Sequence, residues 1–202
     1  DNIFIFGLTA EQVAELRAEI ARRGLDETLR VVEADFREIP GRYDKLLSIG
    51  TLEHAGPDQL CEVVQAHADA MKPGALGVIH FIGHVGVRET EFFIRNYIFP
   101  GGWIPSLAQA LAAMERCGLE VLDVENLRPH YAKTLWAWSD ALDAQLDEAR
   151  ALTSDGALRA WRLYLAGSAM AFERGWLSLH QVLAARPSGR VEDGPLRGAQ
   201  SA

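Results

Sequence analysis

Basic charge, cysteine and long apolar runs are all scarce in this chain. Its 202 residues carry 20 Lys and Arg against 28 Asp and Glu, a formal charge of -8. A non-specific nucleic-acid binder gains affinity by displacing phosphate counterions with clustered cations, so that class is not expected, although an acidic total leaves room for a local basic patch. The two cysteines, Cys61 and Cys117, are far apart in sequence and lack metal-ligand spacing. The simplest expectation is that each is a small buried hydrophobe in a reducing compartment. No apolar stretch reaches the ~18 residues of a spanning helix, and no basic segment leads into an apolar one as in a signal peptide. Contact with a membrane is therefore expected only from its surface. No internal repeat is visible. Also missing is a Gly-x-Gly turn between a strand and a helix, the usual cradle for a phosphate. The glycines of Phe99-Pro100-Gly101-Gly102-Trp103 stand among bulky apolar groups instead and suit a lid or a channel wall.

What is present fits one globular domain: 49% hydrophobic and 24% charged residues suffice for a sizeable core. Asp1 to Gly7 reads as a strand. Thr9 with Gln12 three residues on forms a capping-box pattern, opening a helix that Gly24 should stop. Leu29–Val32 and Tyr43–Ile49 read as strands, Gln59–Met71 as a helix, Pro73-Gly74 as a turn, and Ala75–Ile82 as a strand apolar enough to be covered on both faces. Glu91–Tyr97 is short and amphipathic. Helices are predicted at Ser106–Cys117, Leu135–Arg150 and Asp155–Glu173, with strands at Glu120–Leu127 and Trp176–Ala185. Residues 187–202 are expected to be a flexible tail. The alternation predicts a doubly wound, mostly parallel α/β sheet whose closing strand runs antiparallel.

The chemical candidates cluster at strand ends, where α/β sheets bind ligands. Glu53 and His54 follow the strand ending at Ile49, and each is a candidate acid or base; a simple surface pair is the alternative. His80 interrupts an apolar strand, where an imidazole needs a hydrogen-bond partner. It is either a satisfied core histidine or a group facing the same cleft as Glu53. Tyr131 is either a packing aromatic or a hydroxyl donor. Trp136, Trp138, Trp161, Tyr164 and Phe172 lie at helical spacing and read as core.

The ordered set Gly7-Leu8-Thr9-Ala10-Glu11-Gln12, Ala34-Asp35-Phe36-Arg37, Tyr43 to Glu53-His54, Met71-Lys72-Pro73-Gly74, Tyr97 to Gly102, His130 to Leu135 and Arg159-Ala160-Trp161 to Phe172 resembles the cyclopropane-fatty-acyl-phospholipid synthase family, which includes the mycolic acid methyltransferases. The likeness runs in order over about residues 3 to 185. It implies a Rossmann-like class I methyltransferase domain over residues 1–186, with helices on both faces of the sheet. The family's first strand, its Gly-x-Gly loop and an upstream cysteine of the bicarbonate site would precede Asp1, so this domain is expected to be incomplete at its N-terminus.

The activity implied is S-adenosylmethionine-dependent methyl transfer to a cis double bond in a lipid acyl chain, closing a cyclopropane ring with bound bicarbonate as base. By position, Glu53, His80, Tyr131 and the backbone of Ile82 would hold the bicarbonate. Ser168 stands where many members have a cysteine once proposed as catalytic. Gly7, Leu8, Thr9 and Gln12 would face the ribose and methionine of S-adenosylmethionine, and Asp35, Phe36 and Arg37 its adenine; for Asp35, a turn cap is the alternative. The partners implied are an unsaturated phospholipid or other lipid acyl chain and a membrane touched peripherally from the cytoplasm at its inner face. No nucleic acid or metal is expected, and a homodimer is left open. The alternatives are methyl-branched or methylene fatty acid synthesis, methylation of a small natural product, and a non-catalytic lipid-binding role.

Overall fold

A computed structural model describes residues 3–5, 9–35, 37 and 39–188. Gly7, Leu8 and Phe36 of the expected cofactor set lie outside the described residues, as does the tail from residue 189.

The chain begins with a small parallel ribbon. β1 (Ile3–Ile5) and β2 (Leu29–Val31) pair side by side, joined through α1 (Ala10–Arg23). The start of α1 follows from its capping box: the Thr9 side chain accepts from the Gln12 N–H, and the Gln12 side chain accepts from the Thr9 N–H. Two otherwise unpaired helix donors are satisfied this way. Gly24 ends the helix in the left-handed region at φ 66°, a conformation open to glycine without penalty. Val13 and Ile20 close this corner against Val31.

The main sheet has the order β3-β4-β6-β5, built from β3 (Tyr43–Ile49), β4 (Met71–His84), β5 (Glu120–Asn126) and β6 (Leu177–Ala185). β3 and β4 run parallel, while β6 is antiparallel to both β4 and β5, as expected of the closing strand. One face carries α2 (Gly56–Ala70) and α3 (Leu107–Arg116). The other carries α4 (Arg128–Ala144) and α6 (Asp155–Glu173), with the short α5 (Leu146–Leu152) between them. Side chains alternate along a strand, so Ile79, Phe81, Val182 and Ala184 enter the first core and Ile82 and Leu179 the second. Burial on both sides explains the unbroken apolar run of β4. Phe81, Val64 and Leu135 are completely enclosed, each contributing about 1.5–3 kcal/mol from apolar burial. Among the described residues no strand joins the β1–β2 ribbon to the main sheet, and Leu47 and Ile49 of β3 are about two-thirds exposed, at 68% and 66%.

Four expectations need correction. Pro73-Gly74 does not separate helix from strand; β4 already starts at Met71, and the pair lies within a bulge where Met71 faces Tyr43 but Leu76 faces Lys45. A proline is tolerated in such a bulge because the ladder is interrupted there. The helix predicted at Leu135–Arg150 is two helices, α4 and α5, and α4 begins seven residues earlier, at Arg128. Pro129 in its first turn has no N–H to lose, and Gln145 at φ -121° breaks the run. Trp138 and Trp161 are not core; they are 50% and 43% exposed. Finally, Cys61 and Cys117 are half-buried and adjacent: the Cys117 thiol donates to the Cys61 carbonyl at 3.5 Å, and Arg116 donates to the Cys61 sulfur at 2.7 Å.

Candidate functional site

The end of β3 explains the placement of Glu53. Gly50, left-handed at φ 67°, donates its N–H to the His80 carbonyl and so ties the strand end to β4. The chain then turns through a short 3₁₀ segment, Leu52–His54, whose Leu52 is buried and anchors it. Pairing between β3 and β4 stops at Ile49 and His80. The Ile82 N–H beyond it needs an acceptor other than β3. Glu53 supplies one: its Oε1 accepts from the Ile82 N–H at 2.7 Å.

The other carboxylate oxygen, Oε2, is buried and has no hydrogen-bond partner in the structure. Burial pushes the Glu53 pKa above the usual carboxylate range, and the Ile82 N–H only partly offsets this. An unsatisfied buried carboxylate oxygen costs on the order of 1–3 kcal/mol or more, so it marks a position built to receive a donor.

Tyr131 is close enough to feel this carboxylate, and His80 lies on the strand that carries Ile82. Tyr131 lies in the first turn of α4, with its ring 5.0 Å from that of Phe172 and 6.1 Å from that of Trp138. Its hydroxyl pKa is raised, first by burial and then by the negative Glu53. His80 is half-buried and two residues before Ile82 on β4, so the two side chains share the face toward α4 and α6. His54, by contrast, is exposed.

Ser168 is buried on α6 one turn after Tyr164, whose pKa is pushed up to about 12 by burial and next by Tyr131. Tyr131, Tyr164 and Ser168 therefore form one wall. The 98–105 segment closes over it: the Trp103 N–H donates to the Glu53 carbonyl, and the Phe99 ring meets Tyr164 edge-on at 5.6 Å. Further along α4 and α6, Trp138, Leu142, Leu158, Trp161 and Leu165 line an apolar cavity of about 400 Å³.

The expected cofactor residues are less open. Thr9 and Gln12 spend their side chains on each other at the start of α1. Asp35 accepts from the Arg37 backbone N–H and pairs with its guanidinium at 2.7 Å, which is the turn-cap alternative with an ion pair added. Those contacts hold its pKa down to about 2. The structure thus brings Glu53 together with Ile82, sets Tyr131 near that carboxylate, puts His80 on the same strand face as Ile82, and leaves Thr9 with Gln12 and Asp35 with Arg37 as two local pairs. One set of polar residues was missed from sequence: buried His67, with Ser48 and Thr51, just behind the Glu53 turn. A histidine among alanines and valines, in the last turn of α2, was its only signal.

The chain is similar to known proteins in both sequence and fold. The family model described as mycolic acid cyclopropane synthetase matches residues 2–182. A protein of Pseudomonas putida named "Probable fatty acid methyltransferase" is 42% identical over 193 residues, covering 91% of this chain and 49% of its own length. The "Tuberculostearic acid methyltransferase UfaA1" of Mycobacterium tuberculosis is 32% identical, covering 86% of this chain and 42% of its own length. The chain therefore spans about half the length of the curated relatives it matches. Among solved structures, the mycolic acid cyclopropane synthase CmaA1 in complex with SAH and CTAB superposes with a TM-score of 0.84 at 27% identity, over 91% of this chain and 70% of that one.

Proposed function

Because the chain belongs to the mycolic acid cyclopropane synthetase family, we propose that it is the catalytic part of an S-adenosylmethionine-dependent methyltransferase acting on a cis double bond of an unsaturated lipid acyl chain. When bound, S-adenosylmethionine supplies an electrophilic methyl to the alkene, and bicarbonate supplies the base that takes the proton lost on ring closure.

The observation that carries this reading is the Glu53 carboxylate, held through Oε1 by Ile82 and open at buried Oε2. An ionised carboxylate can only accept, so Glu53 would take the single O–H of a bicarbonate and turn its other oxygens outward. The Tyr131 hydroxyl and the His80 imidazole are the donors that would hold those oxygens. Ile82 contributes indirectly, since its N–H is committed to Glu53. Ser168 would sit one helical turn from Tyr164 on the same wall. Phe99, Tyr164, Phe172 and Trp138 keep water from a developing cation, and the apolar cavity between α4 and α6 offers room for an acyl chain.

On the cofactor side, Asp35 and Arg37 would meet the adenine and the Thr9–Gln12 turn the ribose, together with Gly7, Leu8 and Phe36. Exposed Val87, Phe92 and Tyr97, in the segment between β4 and α3, would meet a membrane surface. No helix among the described residues is long and apolar enough to cross one.

A second reading concerns the product. The relatives at 42%, 34% and 32% identity are named for fatty acid or tuberculostearic acid methylation, whereas a protein named for cyclopropane formation stands at 26%. A methylene or methyl-branched chain, formed when the cation loses a proton elsewhere, is therefore the alternative. The test is the native polypeptide with labelled S-adenosylmethionine and unsaturated phospholipid: labelled acyl product supports the reading, and its absence overturns it. Fragmentation of the product separates ring from branch.

A further inference from the structure

A buried polar chain stands directly behind the turn that carries Glu53. His67 lies on α2 and is 3% exposed. Its Nδ1 is 2.6 Å from the Val63 carbonyl one turn earlier, and its Nε2 is 2.9 Å from Ser48 Oγ at the end of β3. Ser48 Oγ is in turn 3.1 Å from Thr51 Oγ1.

A carbonyl can only accept, so Nδ1 carries the ring proton. In the neutral ring, Nε2 must then be the acceptor. Burial lowers the His67 pKa and favours that neutral ring. Ser48 therefore spends its one proton on Nε2, and the contact with Thr51 is donated by the Thr51 hydroxyl. Every proton in the chain Thr51 to Ser48 to His67 to Val63 has one direction, fixed at its far end by a helix carbonyl.

Thr51 is the residue immediately before the short turn whose second residue is Glu53, and its hydroxyl bonds Ser48 and does not cap the turn. The link spans the three elements that meet there: β3, the turn and α2. Among the described residues the Glu53 carboxylate accepts one hydrogen bond from another residue, the Ile82 N–H, while its backbone carbonyl accepts from the Trp103 N–H. We propose that His67 is a positioning residue of the site: through Ser48 and Thr51 it fixes the turn that sets the Glu53 carboxylate against Ile82. Its importance to turnover rests on the reading of Glu53 given above; its effect on Glu53 geometry does not.

The test uses the native polypeptide with His67→Leu, His67→Gln and Thr51→Val. Leu fills the space without an acceptor. Gln can place an amide oxygen near the position of Nε2, and Thr51→Val removes one surface-side hydroxyl with little risk to the core. Amide exchange reads Glu53 directly, because the Ile82 N–H is protected by its carboxylate. Expected in His67→Leu and Thr51→Val is about tenfold faster exchange at Ile82, with Val64 and Val182 unchanged, and a kcat lowered about tenfold at a KM for S-adenosylmethionine within about twofold. His67→Gln should recover both readouts to within about threefold. Unchanged Ile82 exchange in both His67→Leu and Thr51→Val, or a Leu variant as good as Gln, overturns the proposal. A wild-type protein that transfers no methyl would sink the functional reading alone, since the exchange result still decides the positioning role.

Discussion

Asp35, in the loop after the β1–β2 ribbon, and Glu53, at the end of β3, are carboxylates treated in opposite ways by the fold. Asp35 is partly exposed and locally satisfied: the Arg37 side chain, then its backbone N–H, draw its pKa down to about 2. Glu53 is half-buried with its Oε2 out of reach of solvent, has one backbone donor across the sheet, and has its pKa raised by desolvation. The ribbon solves its polar problems within a few residues of sequence. The strand-end region leaves one unsolved, and an unsolved buried acceptor is where a ligand gains most from binding.

The largest test of that contrast is Glu53→Ala, expected to lower methylated product by at least about 100-fold while leaving S-adenosylmethionine affinity within about twofold. Asp35→Asn should do the reverse, weakening cofactor affinity about tenfold with little change in kcat at saturation. Isothermal calorimetry beside turnover separates the two, and equal loss of both properties in Glu53→Ala would erase the distinction. Tyr131→Phe comes next: it keeps the ring against Phe172 and removes the donor, so kcat should fall about tenfold with the melting temperature held.

A smaller effect appears in stability against pH. Because the folded Glu53 pKa is raised, its contribution is fully present below the unfolded value of about 4.3 and is lost as pH rises through the folded pKa. Urea denaturation of wild type and Glu53→Gln should show wild type losing ground relative to the variant across that window and holding a constant difference above it. A difference that grows in favour of wild type would contradict the burial argument. The smallest expected effect is the stability of Asp35→Asn, within about 0.5 kcal/mol of wild type by the same method, since its ion pair is exposed and screened.

Much of this architecture is legible along the chain. The limits of β3 and α6, the capping box at Thr9 and the glycine stop at Gly24 follow from local periodicity and local hydrogen bonding, which need no distant residue. The early start of α4 was hidden because Arg128 to Thr134 lack an apolar stripe; packing of Tyr131 on Phe172 holds that turn in place of propensity. Trp138 and Trp161 have helical spacing like the core aromatics, and only the gap between α4 and α6 distinguishes them. The adjacency of Cys61 and Cys117 depends on how α2 meets α3.

By itself the sequence determined the alternation of strands and helices, the sheet covered on both faces, and the family, because periodicity, caps and ordered motifs are written in neighbouring residues. It also pointed to Glu53, His80 and Tyr131 as candidates. Only the tertiary structure decided that one Glu53 oxygen is spent on Ile82 and the other left open, and that His67 stands behind the Glu53 turn. Those outcomes depend on where β3 stops beside β4 and on which polar atoms lose water together, and neither is a property of any one segment of chain.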